Sequence, residues 1–291
     1  MTVAIFGASG QLGRDLVPRM ACLGQDVIAR TRTEVDFTQP ATIRAFLVTH
    51  RPRLVINCAA YNFVDRAETE PEVAFAVNAV AVQVLAEACR EMEAKLVHFS
   101  TDYVFGRDQS RHTPYREDDP PGPVNVYGQS KWRGEQAVLA TSATNLVIRT
   151  CGLYGVWGSG GKGGNFVETM LRLATAGRPL RVVNDQRCTP SYTVDVAETT
   201  VELLRGEAEG LFHVTNTGDC TWYEFAVEIF RQAGLKPDLT PITSRDYGAA
   251  AQRPAYSVLS TEKLTEKGLA PPRPWQEALA AYLLERTKRW Q

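Results

Sequence analysis

Metal-ligand patterning is missing from this chain. Its four histidines (His50, His98, His112 and His213) stand far apart, and its six cysteines (22, 58, 89, 151, 188 and 220) contain no Cys-x-x-Cys pair. A zinc site or a disulfide framework is therefore not expected, and neither is any other metal; buried, reduced thiols of a cytoplasmic protein fit better. An excess of basic charge is lacking too. Thirty-two Lys and Arg face 33 Asp and Glu, a formal net charge of −1, so nucleic acid is not expected as a partner. Nor does any uninterrupted apolar run reach the ~18 residues that would span a bilayer, and "MTVAIFGASG" enters a strand with no basic leader. The expectation is a protein without a membrane partner.

What remains is a chain of 291 residues that alternates short apolar runs with helical patterns. "TVAIFG" (2–7), "DVIAR" (26–30), "RLVINCAA" (53–60), "KLVHFSTDYVF" (95–105) and "NLVIRTCGLYG" (145–155) read as strands. Helices are predicted between them at 11–24, 41–52, 71–92 and from the "VYGQSKWRGEQ" segment. That alternation implies an α/β fold: a Rossmann-type, doubly wound parallel sheet with helices on both faces. Residues 1–155 are assigned to this dinucleotide-binding part, and 156–291 mainly to a smaller substrate-binding part. The two are expected to interleave, because "GLFHVTNTGD" reads as a strand returning to the main sheet near 210–218. The glycine-rich "VWGSGGKGGN" (156–165) is expected to be mobile; Lys162 on it and Arg187 could reach a substrate phosphate, but each reads first as a surface charge.

Between the first strand and helix, "FGASGQLGRDL" places Gly7, Gly10 and Gly13 at three-residue intervals. One glycine permits a sharp turn, the next lets a pyrophosphate approach the helix N-terminus, and the third lets helix and strand pack closely. Gln11 and Leu12 open that helix. At the end of the second strand, "IARTRTEVDFT" offers Arg30 and Arg32 rather than an acid, which suits a 2′-phosphate and favours NADPH over the alternative, NADH. Asp36 and Phe37 are expected to flank the adenine.

Tyr127 and Lys131 lie four residues apart and share one helix face. A phenol titrates near 10, too high for proton transfer at neutral pH; a neighbouring ammonium is expected to lower it. Thr101, at the end of the "HFSTDYVF" strand, would meet the same substrate oxygen, with Asp102 beside it.

Together with "NCAAY", these motifs resemble the extended short-chain dehydrogenase/reductases. More narrowly, "AAYNFVDRAETEPEVAFAVNAVAV", "STDYVF", "NFVETMLRLA" and "NDQRCTPSYTVDVAE" resemble the dTDP-4-dehydrorhamnose reductase family over nearly the whole chain. The resemblance implies NADPH-dependent reduction of the C4 ketone of a nucleotide-linked 4-keto-6-deoxy sugar. Tyr127 would be the general acid, Lys131 its tuner and Thr101 the anchor of the substrate oxygen. It also places Ala59, Ala60 and Tyr61 around the cofactor; Asn78 reads either as bonding main chain near the cofactor or as a buried structural amide, and Asn165, Gln186 and Asp102 are expected near the sugar. A homodimer through the 71–92 and tyrosine helices is a further expectation. Three positions depart from the family pattern. Gly152 stands where a tryptophan commonly packs on the sugar, and Trp157 either swings in to replace it or is an exposed loop side chain; Gly106 replaces an aspartate, and Cys188 a glycine. Asp102 is followed by Tyr103, not by the glutamate that a dehydratase needs. Another nucleotide-sugar reductase, a 4-epimerase, or a non-catalytic subunit similar to the regulatory subunit of methionine adenosyltransferase stay open as alternatives.

Overall fold

The computed structural model describes residues 1–158 and 164–289. Lys162 and the centre of the glycine-rich segment lie outside the described residues. The first half runs β1 (Thr2–Phe6), α1 (Gln11–Cys22), β2 (Asp26–Arg30), α2 (Pro40–His50), β3 (Leu54–Asn57), α3 (Val64–Ala67), α4 (Pro71–Phe75), α5 (Ala81–Glu91), β4 (Lys95–Thr101), α6 (Val126–Thr141) and β5 (Leu146–Thr150). Next come β6 (Leu153–Tyr154), α7 (Phe166–Thr175), β7 (Leu180–Val183), β8 (Arg187–Cys188), β9 (Ser191–Tyr192), α8 (Thr193–Arg205) and β10 (Gly210–His213). The chain closes with β11 (Cys220–Thr221), α9 (Trp222–Ala233), β12 (Leu239–Ile242), α10 (Ser244–Tyr247), α11 (Glu262–Glu266) and α12 (Trp275–Arg289).

Six strands form one sheet in the order β10-β5-β4-β3-β1-β2. Every pairing in it is parallel, including the returning β10 on β5. Period-two alternation splits β1 between two cores. Val3 and Ile5 pack with Leu12 and Leu16 of α1 and Val196 of α8. Ala4 and Phe6 pack with Ile43 and Leu47 of α2 and Val82 and Leu85 of α5. Helices thus cover both faces. Strand order reverses at β1, so the C-terminal ends of β1 and β3 frame a crevice, the usual ligand position in such sheets. A third, aromatic core of Tyr154, Tyr192, Phe225, Trp275 and Tyr282 holds the C-terminal elements together.

The helix predicted over 71–92 is interrupted by a π-helical turn, Ala76–Val80. Residues 71–91 also reach a mean hydropathy of 1.5 over an 18-residue window, so by length and composition alone this helix could cross a membrane. Its Ala81, Val82, Leu85, Ala86 and Cys89 are instead buried against the sheet, as in the core helix of a globular fold.

Candidate active site

The glycine loop has the geometry its spacing implies. Gly7 sits at φ +72°, and a Cβ there would lie 2.6 Å from the Ala59 nitrogen. Its carbonyl accepts from the Gly10 N–H at 2.9 Å, and the Ala8 N–H donates to the Arg30 carbonyl at 3.1 Å, tying the loop to the tip of β2. A Cβ on Gly13 would come within 2.4 Å of the Gly7 oxygen. Gly10 is the N-cap of α1 and supplies no side-chain cap, so the first-turn amides face outward as anion donors. These residues fit a dinucleotide: small, open, and positive at the helix end.

At the β2 tip, Arg30 is half-buried, donates to the Ala29 carbonyl at 2.9 Å and lies over the Phe46 ring. Glu34, four residues on, stands 3.7 Å from Arg30, and its carboxylate is held below its ordinary range by the Thr31 N–H and hydroxyl. Arg32 is exposed. Asp36 turns back to accept from the Thr38 N–H at 2.8 Å. Phe37 departs from expectation. Its ring is buried and meets Phe6 edge-on at 5.5 Å, so packing in the core keeps it from flanking an adenine.

Thr101 ends β4 and Asp102 begins the tight turn that follows. The Thr101 hydroxyl donates to Asp102 Oδ1 at 3.1 Å, and Ser257 Oγ donates to Asp102 Oδ2 at 2.6 Å. Burial nevertheless dominates and raises the Asp102 carboxyl to about 6. Tyr127 lies in the first turn of α6, whose N-cap Asn125 accepts from the Gly128 N–H at 2.7 Å. Gly128 and Gly134 let the helix press in, since a Cβ on either would stand 2.2 Å from the Tyr103 or Asn78 carbonyl oxygen. The Tyr127 phenol lies beside the Thr101 hydroxyl. Its acidity was not predicted. Burial pushes Tyr127 up to about 12, with the Thr101 hydrogen bond only partly offsetting it.

Lys131 explains the difference, because its ammonium does not reach the phenol. Its Nζ donates to the Phe99 carbonyl at 2.6 Å and stands 3.4 Å from His98 Nε2. The lysine is 2% exposed, and burial lowers it to about 8. His98, which lacks metal-ligand spacing in the sequence, is thus part of the site. A polar residue in the middle of an apolar strand was the available signal, since buried polar groups need partners.

Several other expected residues turn out to hold the scaffold. Asn78 accepts from the Tyr61 N–H and donates to the Tyr61 carbonyl, both at 2.9 Å, and to Ser130 Oγ at 3.0 Å, clamping the loop after β3 to α6. Every polar atom of its side chain is thereby used, so it positions the Ala59–Ala60–Tyr61 segment without a free group for a cofactor. The Tyr61 hydroxyl donates to Glu70 at 2.7 Å. Asn165 is the N-cap of α7, accepting from the Glu168 N–H at 3.0 Å and donating to the Gly155 carbonyl at 2.9 Å. Gln186 donates to Ser244 Oγ at 2.8 Å. Arg187 is engaged by Asp219 and Glu224.

Trp157 does not replace the missing tryptophan wall. Its Nε1 donates to Asp15 of α1 at 3.0 Å, and Arg14 and Arg289 lie over its ring. Gly152, at φ +51°, has another neighbour: a Cβ there would stand 3.3 Å from Trp222 Cη2. The thiol of Cys151 beside it interacts with Asp102 and Cys188. No group of three or more His, Cys, Asp or Glu suited to a metal occurs among the described residues.

A family model described as the RmlD substrate binding domain matches residues 1–288. The chain belongs to that family. It is 43% identical to a dTDP-4-dehydrorhamnose reductase of Mycolicibacterium smegmatis over 95% of this chain and 83% of that one. It is also 40% identical to a dTDP-4-keto-6-deoxy-D-glucose reductase of Streptomyces niveus, over 94% of both chains. Among solved structures, a dTDP-4-dehydrorhamnose reductase of Bacillus anthracis in complex with NADP superposes with a TM-score of 0.91 at 37% identity, covering 98% of this chain and 99% of that one.

Proposed function

We propose that this protein reduces the C4 ketone of dTDP-4-dehydro-L-rhamnose to dTDP-L-rhamnose, using NADPH. The observation that carries the reading is the pairing of the Tyr127 phenol with the Thr101 hydroxyl at the C-terminal edge of the parallel sheet. Lys131 is buried one turn further along the same helix, and the glycine loop stands at the end of β1. The relatives' names and the NADP in the Bacillus anthracis structure support the same chemistry.

Gly7, Gly10, Gln11, Leu12 and Gly13 would hold the pyrophosphate of the dinucleotide, and Arg30 its 2′-phosphate. The nicotinamide, when bound, supplies the hydride. Thr101 orients the ketone oxygen, and Tyr127 gives its proton to that oxygen as negative charge develops there. A phenol held at about 12 stays protonated through neutral pH, as a proton donor must. Lys131, charged below about 8, would bind the ribose of the cofactor.

The relatives' names span two dTDP-linked ketosugars, and Gly152 carries no side chain of its own at that position. A second dTDP-4-keto-6-deoxyhexose is therefore the competing substrate. The test follows NADPH absorbance with each dTDP-ketosugar, with a UDP-linked ketosugar and with NADH. Loss of absorbance fastest with the dehydrorhamnose and NADPH is expected, whereas cofactor bound but never oxidised would overturn the reading. We further infer a cytoplasmic protein that pairs with a second copy through the helices at 71–91 and 126–141. Val73, Val80 and Leu139 are exposed there, and light scattering at the dimer mass would be the supporting result.

A further inference from the structure

A continuous set of hydrogen bonds runs from the backbone after β3 to Lys131. The Ala59 N–H donates to Asn57 Oδ1 at 3.0 Å, which fixes the side-chain amide with its NH2 end toward β4. That NH2 meets His98 Nδ1 at 3.0 Å. An NH2 group can only donate, so Nδ1 must accept, and a neutral imidazole then carries its single proton on Nε2. His98 is fully buried, and burial together with the nearby Lys131 charge keeps the ring neutral. The Nε2 proton is left facing Lys131 Nζ, 3.4 Å away.

An amine fits this pocket: it donates to the Phe99 carbonyl at 2.6 Å and offers its lone pair to His98. An ammonium does not fit as well, because an N–H would then oppose an N–H. We propose that His98 is a positioning residue for the reductase reaction, locked by Asn57 in the tautomer that holds Lys131 and opposes its charge.

The other titratable groups around Lys131 are accounted for. Cys58, at the end of β3, has its thiol pushed up by burial and stays neutral. Glu135, one turn along α6, favours the lysine's charge, but Arg149 grips it through Nε at 2.9 Å and Nη2 at 2.8 Å. Tyr127, one turn back, is kept neutral by burial. Of the close neighbours, His98 is the one whose orientation works against an ammonium.

The inference rests on the proposed function, since it matters only if Lys131 holds the cofactor ribose. It is tested by NADPH binding, which needs no turnover. In the unaltered protein, affinity should be highest while Lys131 is charged and fall as pH rises through about 8. His98→Met removes the opposing N–H while keeping bulk. Its break in affinity should move up by about one pH unit, so that above the wild-type break it binds NADPH up to about tenfold more tightly than wild type. His98→Gln, which can accept from Asn57 and donate to Lys131, should restore the wild-type break. Should His98→Met fail to fold, Asn57→Asp serves in its place: its second oxygen demands a proton on Nδ1, so Nε2 must accept, and the break again moves up. A break that stays at its wild-type position in these variants, or that is absent from the wild type between pH 7 and 10, would overturn the proposal. NADPH bound with the expected shifts, but no ketosugar reduced, would sink the functional reading and leave the His98 assignment intact.

Discussion

Replacing Tyr127 by phenylalanine deletes a single oxygen and spares the packing around it. The ring of Tyr127 meets Tyr103 edge-on at 5.8 Å, and a phenylalanine keeps that contact. The phenol oxygen beside Thr101 is lost, while the hydrogen bond from Thr101 to Asp102 stays, so the cost in stability should not exceed about 1 kcal/mol. Catalysis should suffer far more. Proton delivery by a positioned acid contributes roughly 10²–10⁴ in rate, and at 1.36 kcal/mol per decade this is about 2.7–5.4 kcal/mol of barrier. Nothing else close by can replace the donor: an aliphatic hydroxyl such as that of Thr101 is too weak an acid, and Lys131 is turned to the Phe99 carbonyl. Single-turnover oxidation of bound NADPH by the dTDP-ketosugar should therefore slow by at least ~100-fold in Tyr127→Phe. NADPH affinity should stay within about twofold, because the variant leaves the glycine loop and Lys131 in place. A rate within tenfold of wild type would refute Tyr127 as the proton donor.

Three further outcomes are expected. Gly13→Ala drives a Cβ to 2.4 Å from the Gly7 oxygen, a backbone atom that cannot swing aside. Urea unfolding should show a loss of about 1–3 kcal/mol, together with weaker NADPH binding. Arg30→Ala should weaken NADPH by roughly 10–100-fold, the worth of a charge-assisted hydrogen bond, and leave NADH binding nearly unchanged. Equal losses for both cofactors in a fluorescence titration would remove Arg30 as the reader of the 2′-phosphate. Asp102 concerns pH: its folded value of about 6 lies above the ordinary 3.8, so the folded chain holds this proton more tightly than the unfolded one. Its contribution to stability is full below about 3.8 and is lost as pH rises through about 6, up to about 3 kcal/mol. Asp102→Asn should remove that part of the pH dependence of urea unfolding; an unchanged slope between pH 4 and 6 would refute it.

The main sheet was legible because its central strands β1, β3, β4 and β5 are buried almost throughout and so read as apolar runs. Even the return of the chain at Gly210–His213 could be read from "GLFHV". What was not legible depends on distant partners. β12 contains Pro241 and is partly exposed, which argues against a strand, yet it pairs in parallel with β7. The π turn at Ala76–Val80 has no period of its own in the sequence. It becomes intelligible once Asn78 is seen to reach both Tyr61 and Ser130.

In the site, residue types at strand ends were more informative than distances along the chain. Thr101, Asp102, Tyr127 and Lys131 came together because a strand end and one helix face leave little freedom. Asn165 also carried a signal that was passed over: an Asn followed three residues later by Glu168 is a helix start, and Asn165 does cap α7. Trp157 was beyond sequence reasoning, since nothing local says that Asp15 will receive its N–H. The error about Tyr127 is the more instructive one. Sharing a helix face was taken to mean that Lys131 would act on the phenol, but a flexible side chain goes to its best acceptor. Here that acceptor is the Phe99 carbonyl, at the strand position just before Ser100-Thr101. The lysine is therefore positioned by the strand that carries the substrate anchor. Any displacement of β4 must then move anchor and cation together, which keeps the oxygen-binding and ribose-binding groups in register without a direct contact between Lys131 and Tyr127.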